Sequence, residues 1–214
     1  MATTSFASSA DLGEKEQTLE VLADGVYALT AEGDPNIGAI EGEDFVVCFE
    51  ALATPVAAQS WLTKLREHTD KPVRYLVLSH YHAVRVLGAS AFDAETIIAH
   101  DNTLALIHER GKQDWESEFG RMPRLAKGAD SVPGLTWPTM TFSDTLSIEL
   151  GGDRGTCPAV ERVHPVLDGV LSGGRVPRLA MVAWDGGGVP IRRRADRHLG
   201  VWQSRGAIQP QNPK

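Results

Sequence analysis

Two strongly apolar runs, Phe45-Val46-Val47-Cys48-Phe49 and Val73-Arg74-Tyr75-Leu76-Val77-Leu78, dictate more of this chain's architecture than any other feature. Runs of five or six residues rich in β-branched and aromatic side chains read as strands buried in a sheet interior. The stretch between them has helical character. Thr54 stands before Pro55, a capping residue followed by the residue favoured at the first helical position. Ala58, Trp61, Leu62 and Leu65 then recur at three- and four-residue steps, which predicts an amphipathic helix ending near His68-Thr69, before the turn at Asp70-Lys71-Pro72. Strand, helix and strand in this order form a βαβ unit, and the chain is read as α/β with layered sheets.

Shorter elements flank this unit. Residues 26–30 and 37–40 read as strands around the turn-rich Gly33-Asp34-Pro35-Asn36. A small-residue helical stretch is expected over 84–92, a strand over 96–99, and a helix opened by Asp101 or Asn102 with Leu104, Ile107 and His108 on one side. Residues 121–138, with three prolines, read as loop, and 146–150 alternate as a half-buried strand. Beyond this the periodicity stops.

The composition changes at the same place. Residues 1–150 hold 11 Lys and Arg against 23 Asp and Glu, whereas residues 151–214 hold 10 against 5. Gly, Arg and Pro make up 26 of the last 64 residues but only 22 of the first 150. Three readings of the tail stay open: a basic segment for an anionic partner, built on Arg192-Arg193-Arg194; a solvated irregular terminus; or residues translated out of the ancestral reading frame. Lysine is scarce in the tail and Trp184, Trp202 and Met181 are present, so no nucleic-acid partner is expected. Over the whole chain, 42% hydrophobic and 23% charged residues argue against a disordered chain or a fibre. No apolar stretch approaches the roughly 20 residues of a bilayer span, and the start shows no secretory leader, so a cytoplasmic protein without a membrane partner is expected. Two cysteines, Cys48 and Cys157, exclude a disulfide framework and a four-thiolate zinc site.

Chemistry concentrates at Ser79-His80-Tyr81-His82, directly after the second apolar run. Two histidines at i and i+2 lie on one side of an extended backbone, so their imidazoles can converge on one cation. The same residues also suit surface or hydrogen-bonded histidines. The end of an interior strand is where α/β proteins place their sites.

With these residues in view, the segment 20–150 resembles the metallo-β-lactamase-fold metallohydrolases. Gly25-Val26-Tyr27-Ala28, the hairpin from Asn36 to Gly42, and the run into Ala53-Thr54-Pro55 are similar to the start of that fold, and His80-Tyr81-His82 to the opening of its His-x-His-x-Asp-His signature. The resemblance implies an αββα sandwich, zinc as cofactor, a bound water whose pKa zinc lowers to about 7, and hydrolysis of an ester, thioester or amide-like bond in a small-molecule substrate. It implies His80 and His82 as metal ligands, with His164 in the stretch where a third is expected. It also implies that Glu50 orients a histidine by accepting its ring N–H.

The sequence departs from the family where the second metal position would be built: Val84 and Arg85 replace the signature's Asp and last His. His164 is followed by Pro165-Val166-Leu167, and His198 stands alone. The expectation is therefore an incomplete sandwich divided as 1–20 extension, 21–150 matching half and 151–214 divergent segment. The alternative is a silent remnant or frameshifted product. A half-sandwich exposes a sheet face, which predicts low solubility or a homodimer. His100 and His108 read as partly buried structural histidines, Cys48 as an inert core thiol, Trp61 as core, and Asp114, Glu116 and Glu118 as a solvated helix face.

Overall fold

The computed structural model describes residues 7–31, 34–143 and 146–150, and the backbone of four strands beyond them, 156–160, 168–171, 178–182 and 199–201. A short helix α1 (Ala7–Ala10) precedes four strands, β1 (Thr18–Ala23), β2 (Val26–Thr30), β3 (Ile37–Glu41) and β4 (Val46–Phe49). Helix α2 (Pro55–Leu65) leads to β5 (Val73–Leu78), the one-turn helix α3 (Ala83–Val86), β6 (Thr96–His100), the long helix α4 (Asp101–Arg121) and β7 (Met140–Phe142). These seven strands form one sheet in sequence order. β1 to β4 pair antiparallel, and β4 to β7 pair parallel.

Each neighbour follows from its connection. Short turns join β1 through β4 and permit hairpins, whereas the crossovers through α2, α3 and α4 return the chain in the same direction. Helix α2 begins as the sequence requires: the Thr54 hydroxyl accepts the Ala57 N–H at 3.2 Å and Pro55 opens the first turn. Its inward residues are Ala58, Trp61, Leu62 and Leu65.

The sheet has a core on each face. On the helical side Trp61, Leu65, Leu76, Leu78 and Leu87 are buried with Tyr27, Leu29 and Ile37. On the other side Val26, Ile40, Phe45, Val47, Phe49, Val77 and Ile98 pack with Leu146, Ile148 and Leu150 of the strand β8 (Leu146–Glu149) and its end. The Leu150 carbonyl accepts the Glu43 N–H at 2.7 Å and lies against Gly42, where a Cβ would meet it at 2.6 Å. The second face, expected to be bare, is therefore overlaid by β8. Beyond it the chain continues as β9 (Thr156–Val160) paired with β8, and as β10 (Asp168–Leu171), β11 (Arg178–Val182) and β12 (Leu199–Val201) in a three-stranded sheet.

Two strands of the seven-stranded sheet were not anticipated. β1 alternates weakly, and both its faces are half-exposed. β7 is three residues long, too short for periodicity to register. The helix expected over 84–92 is α3 followed by a 3-10 turn at Ala89–Ala91. Among the described residues, no helix is long and apolar enough to cross a membrane.

Candidate functional site

β4 and β5 run parallel as neighbours, with Phe49 opposite Val77, so their following loops emerge together. Backbone hydrogen bonds stitch the two loops. The Glu50 N–H donates to the Val77 carbonyl at 2.9 Å, the Ala51 N–H to the Arg85 carbonyl at 2.7 Å, and the Gly88 N–H to the Leu52 carbonyl at 3.1 Å. Glu50 and Leu52 hold left-handed backbones, φ 67° and 62°, a cost of order 1–3 kcal/mol each that the surrounding contacts must offset. Gly88 sits so close that an added Cβ would stand 2.0 Å from the Ala51 carbonyl oxygen.

This double loop presents the two histidines. The rings of His80 and His82 meet edge to face, with centroids 4.8 Å apart. His80 is 2% exposed; its Nδ1 shares a 2.7 Å hydrogen bond with Ser79 Oγ, and its Nε2 is buried with no hydrogen-bond partner. When Nδ1 carries the proton and donates to Ser79, Nε2 keeps a free lone pair. Burial, with the charges of Arg85 and His82, pushes His80 well below the usual histidine range. His82 is lowered as well: burial weighs most, Asp114 opposes it, and Arg85 and Arg121 add to it. Both shifts favour the neutral imidazole, the form in which histidine binds metal.

Glu50 does not orient a histidine. Its carboxylate is fully buried; Oε1 accepts the Ser79 N–H at 2.9 Å, and Oε2 lies 3.9 Å from Arg85 Nη1. Burial raises the Glu50 pKa, against the pull of Arg85 and the Ser79 N–H. Arg85, also buried, is lowered by desolvation while Glu50 supports its charge.

The acidic stretch of α4 is a second correction. Glu116 faces solvent, but Asp114 and Glu118 turn inward. Asp114 Oδ2 accepts the Ala83 N–H at 2.7 Å, steadying the start of α3 next to His82, and buried Glu118 pairs with Arg121. The signal was present in the sequence: Thr103, Ile107, Gly111, Asp114 and Glu118 follow the four- and three-residue steps of an inward stripe, with carboxylates where apolar residues are usual.

The remaining candidates separate cleanly. His100 is buried and structural: its Nδ1 accepts the Asn102 N–H at 3.0 Å, capping α4, and its Nε2 lies 3.0 Å from the Ser143 carbonyl. His108 is exposed, contrary to expectation, its ring against Trp137 at 4.6 Å. Cys48 is buried, and desolvation pushes its thiol up to about 12. Trp61 is core. His164, His198 and the side chain of Cys157 lie outside the described residues.

The fit of a zinc ion can be judged from these groups. The unpartnered Nε2 of His80 and its neighbour His82 supply two nitrogen donors of the right kind. A stable centre needs three protein ligands. Among the described residues, no three His, Cys, Asp or Glu side chains converge on a cation position. The same double loop instead holds a buried guanidinium, that of Arg85, against Glu50. These residues do not fit a complete zinc centre.

No family model and no curated protein matches the sequence. Solved structures do align with it. A stereoselective inverting sec-alkylsulfatase from Pseudomonas sp. is 24% identical over 44% of this chain and 16% of its own, with a TM-score of 0.39. A mono-zinc metallo-β-lactamase from Pseudomonas aeruginosa is 17% identical over 44% and 46%, with a TM-score of 0.38. A metallo-β-lactamase from Hirschia baltica is 17% identical over 74% and 67%, with a TM-score of 0.44. The chain thus spans less than a fifth of the alkylsulfatase and under half of the Pseudomonas aeruginosa enzyme. Among the solved structures to which it is similar are metallo-β-lactamases, at low identity and over part of its length.

Proposed function

We propose that this chain is a metallo-β-lactamase-like hydrolase whose metal centre is impaired. His80 and His82 remain as a two-imidazole half-site, and His164 is the residue that would have to fold in to complete it. Zinc is the cofactor, held below one equivalent because the ligand set near the pair is short by one. The substrate is a small molecule with an ester, thioester or amide-like bond, and its identity is open. The observation that carries the reading is the buried, unpartnered Nε2 of His80 beside the His82 ring. Neutral imidazoles at the ends of parallel strands are suited to ligation, and a lone polar atom left dry is costly unless something meets it.

Zinc analysis after gel filtration tests the assignment. Wild type should retain clearly less than one zinc per chain, and His80→Ala should retain none. One full equivalent in the wild type, lost in the variant, would show a complete centre and refute the impairment. Equal zinc in both proteins would refute the site itself. Activity toward a thioester and a chromogenic cephalosporin with added zinc separates an impaired hydrolase from a silent chain. The break in composition near residue 151 supports the second reading, a remnant or frameshifted product. The other two reading frames around codons 145–165 test it, since an intact ligand-bearing segment in either would identify the ancestral frame.

A further inference from the structure

Arg85 is an unusual residue to share a loop with one buried and one half-buried imidazole. It sits one turn beyond His82, its backbone N–H bonded to the His82 carbonyl at 2.9 Å, in the short helix that follows the histidines. It is 8% exposed, and its ion-pair partner is Glu50, at 3.9 Å. Glu50 is itself tied to the loop before the histidines through the Ser79 N–H. The charge therefore belongs to the same double loop as His80 and His82. An arginine keeps its charge in proteins.

We infer that the Arg85 guanidinium is the resident cation of this site, so that His80 and His82 bind a divalent ion well only when it is removed. The inference rests on the reading that these two histidines are the metal donors, and it supplies a second cause for weak zinc binding besides the missing ligand. The free lone pair of Nε2 and the fixed positive charge are both buried in this double loop, joined through Glu50 and Ser79, where water screens little, so a metal ion held by the histidines meets a like charge at low dielectric. Glu50 offsets part of that repulsion, but its own burial favours its neutral form.

Titration of the full-length protein with zinc ion alone, against a competing chromophoric chelator, tests this in wild type, Arg85→Gln, Arg85→Lys and Arg85→Gln/His80→Ala. A neighbouring like charge is worth about one to three decades even for proton binding. Arg85→Gln should therefore bind zinc about tenfold to a thousandfold more tightly than wild type. Arg85→Lys keeps the charge and should stay weak, and the double variant should lose the gain. Should Arg85→Gln fail to fold by circular dichroism, Arg85→Met matches the length of the side chain without its charge and takes its place. Equal affinity in wild type and the neutral variant, both lost with His80→Ala, would overturn the role of Arg85 and leave the histidine site standing. A gain that survives His80→Ala would overturn both. No binding in any variant would overturn the inference, because removing the charge would have released nothing.

Discussion

Replacing Gly88 by alanine probes the joint that holds the candidate site together. Gly88 has φ −77° and ψ −3°, a backbone that alanine adopts freely, so conformational strain plays no part. What matters is space. A Cβ there would lie 2.0 Å from the Ala51 carbonyl oxygen and 2.8 Å from that of Thr54, and both neighbours are backbone. The loop after β4 would have to retreat by more than an ångström. That loosens the hydrogen bonds from Gly88 to Leu52 and from Ala51 to Arg85. Overpacking of this kind costs about 1–3 kcal/mol, and each backbone hydrogen bond lost costs about 1 kcal/mol net. Against this, alanine restricts the unfolded chain and returns about 0.4–1 kcal/mol. The steric and hydrogen-bond losses win, leaving a destabilisation of about 2–4 kcal/mol. For a chain of this length that lowers the melting temperature by about 4–16 °C. Gly13→Ala is the control, with nothing within 4 Å of its new Cβ, and should stay within about 0.5 kcal/mol of wild type. Thermal and urea unfolding followed by circular dichroism measure both. A Gly88→Ala protein melting within about 2 °C of wild type would refute the reasoning, since it would mean the two loops part without cost.

Two further outcomes follow from the same packing. Burial works against the Glu41 carboxylate, but hydrogen bonds from Lys71, at 2.6 Å, and Tyr27, at 2.9 Å, outweigh it and hold its pKa below 4.5. A lowered folded-state pKa contributes stability above the ordinary value that is lost as the pH falls through the folded one. Glu41→Gln should therefore cost about 1–2 kcal/mol at pH 7 and progressively less below pH 4.5; an unchanged cost at pH 3 would disprove the assignment. Cys48, its thiol raised to about 12 by burial, should resist iodoacetamide at pH 8 in native Cys157→Ser protein and react on unfolding. Rapid native labelling would show that this strand is not in the core.

Legibility in the sequence tracked how local the responsible physics was. The helix after Thr54-Pro55, the apolar runs of β4 and β5 and the pairing of the His80 and His82 rings all follow from spacing along a few residues, and each stands in the structure where the pattern placed it. The roles of Glu50 and Asp114 did not follow. Glu50 was matched to a histidine by resemblance, but a left-handed backbone turns its carboxylate toward the Ser79 N–H and Arg85. Asp114 looked like one of several solvated acids until α4 crossed behind the histidines and brought it to the Ala83 N–H, 31 residues away in sequence. Amino-acid order by itself determined the strands, the capped helix and the two-histidine tip, because period and capping act between neighbours. Only the tertiary structure decided that a buried guanidinium, paired with Glu50, belongs to the double loop that carries those histidines and that no third donor joins them among the described residues, because charge and coordination depend on which distant loops are stitched together in three dimensions.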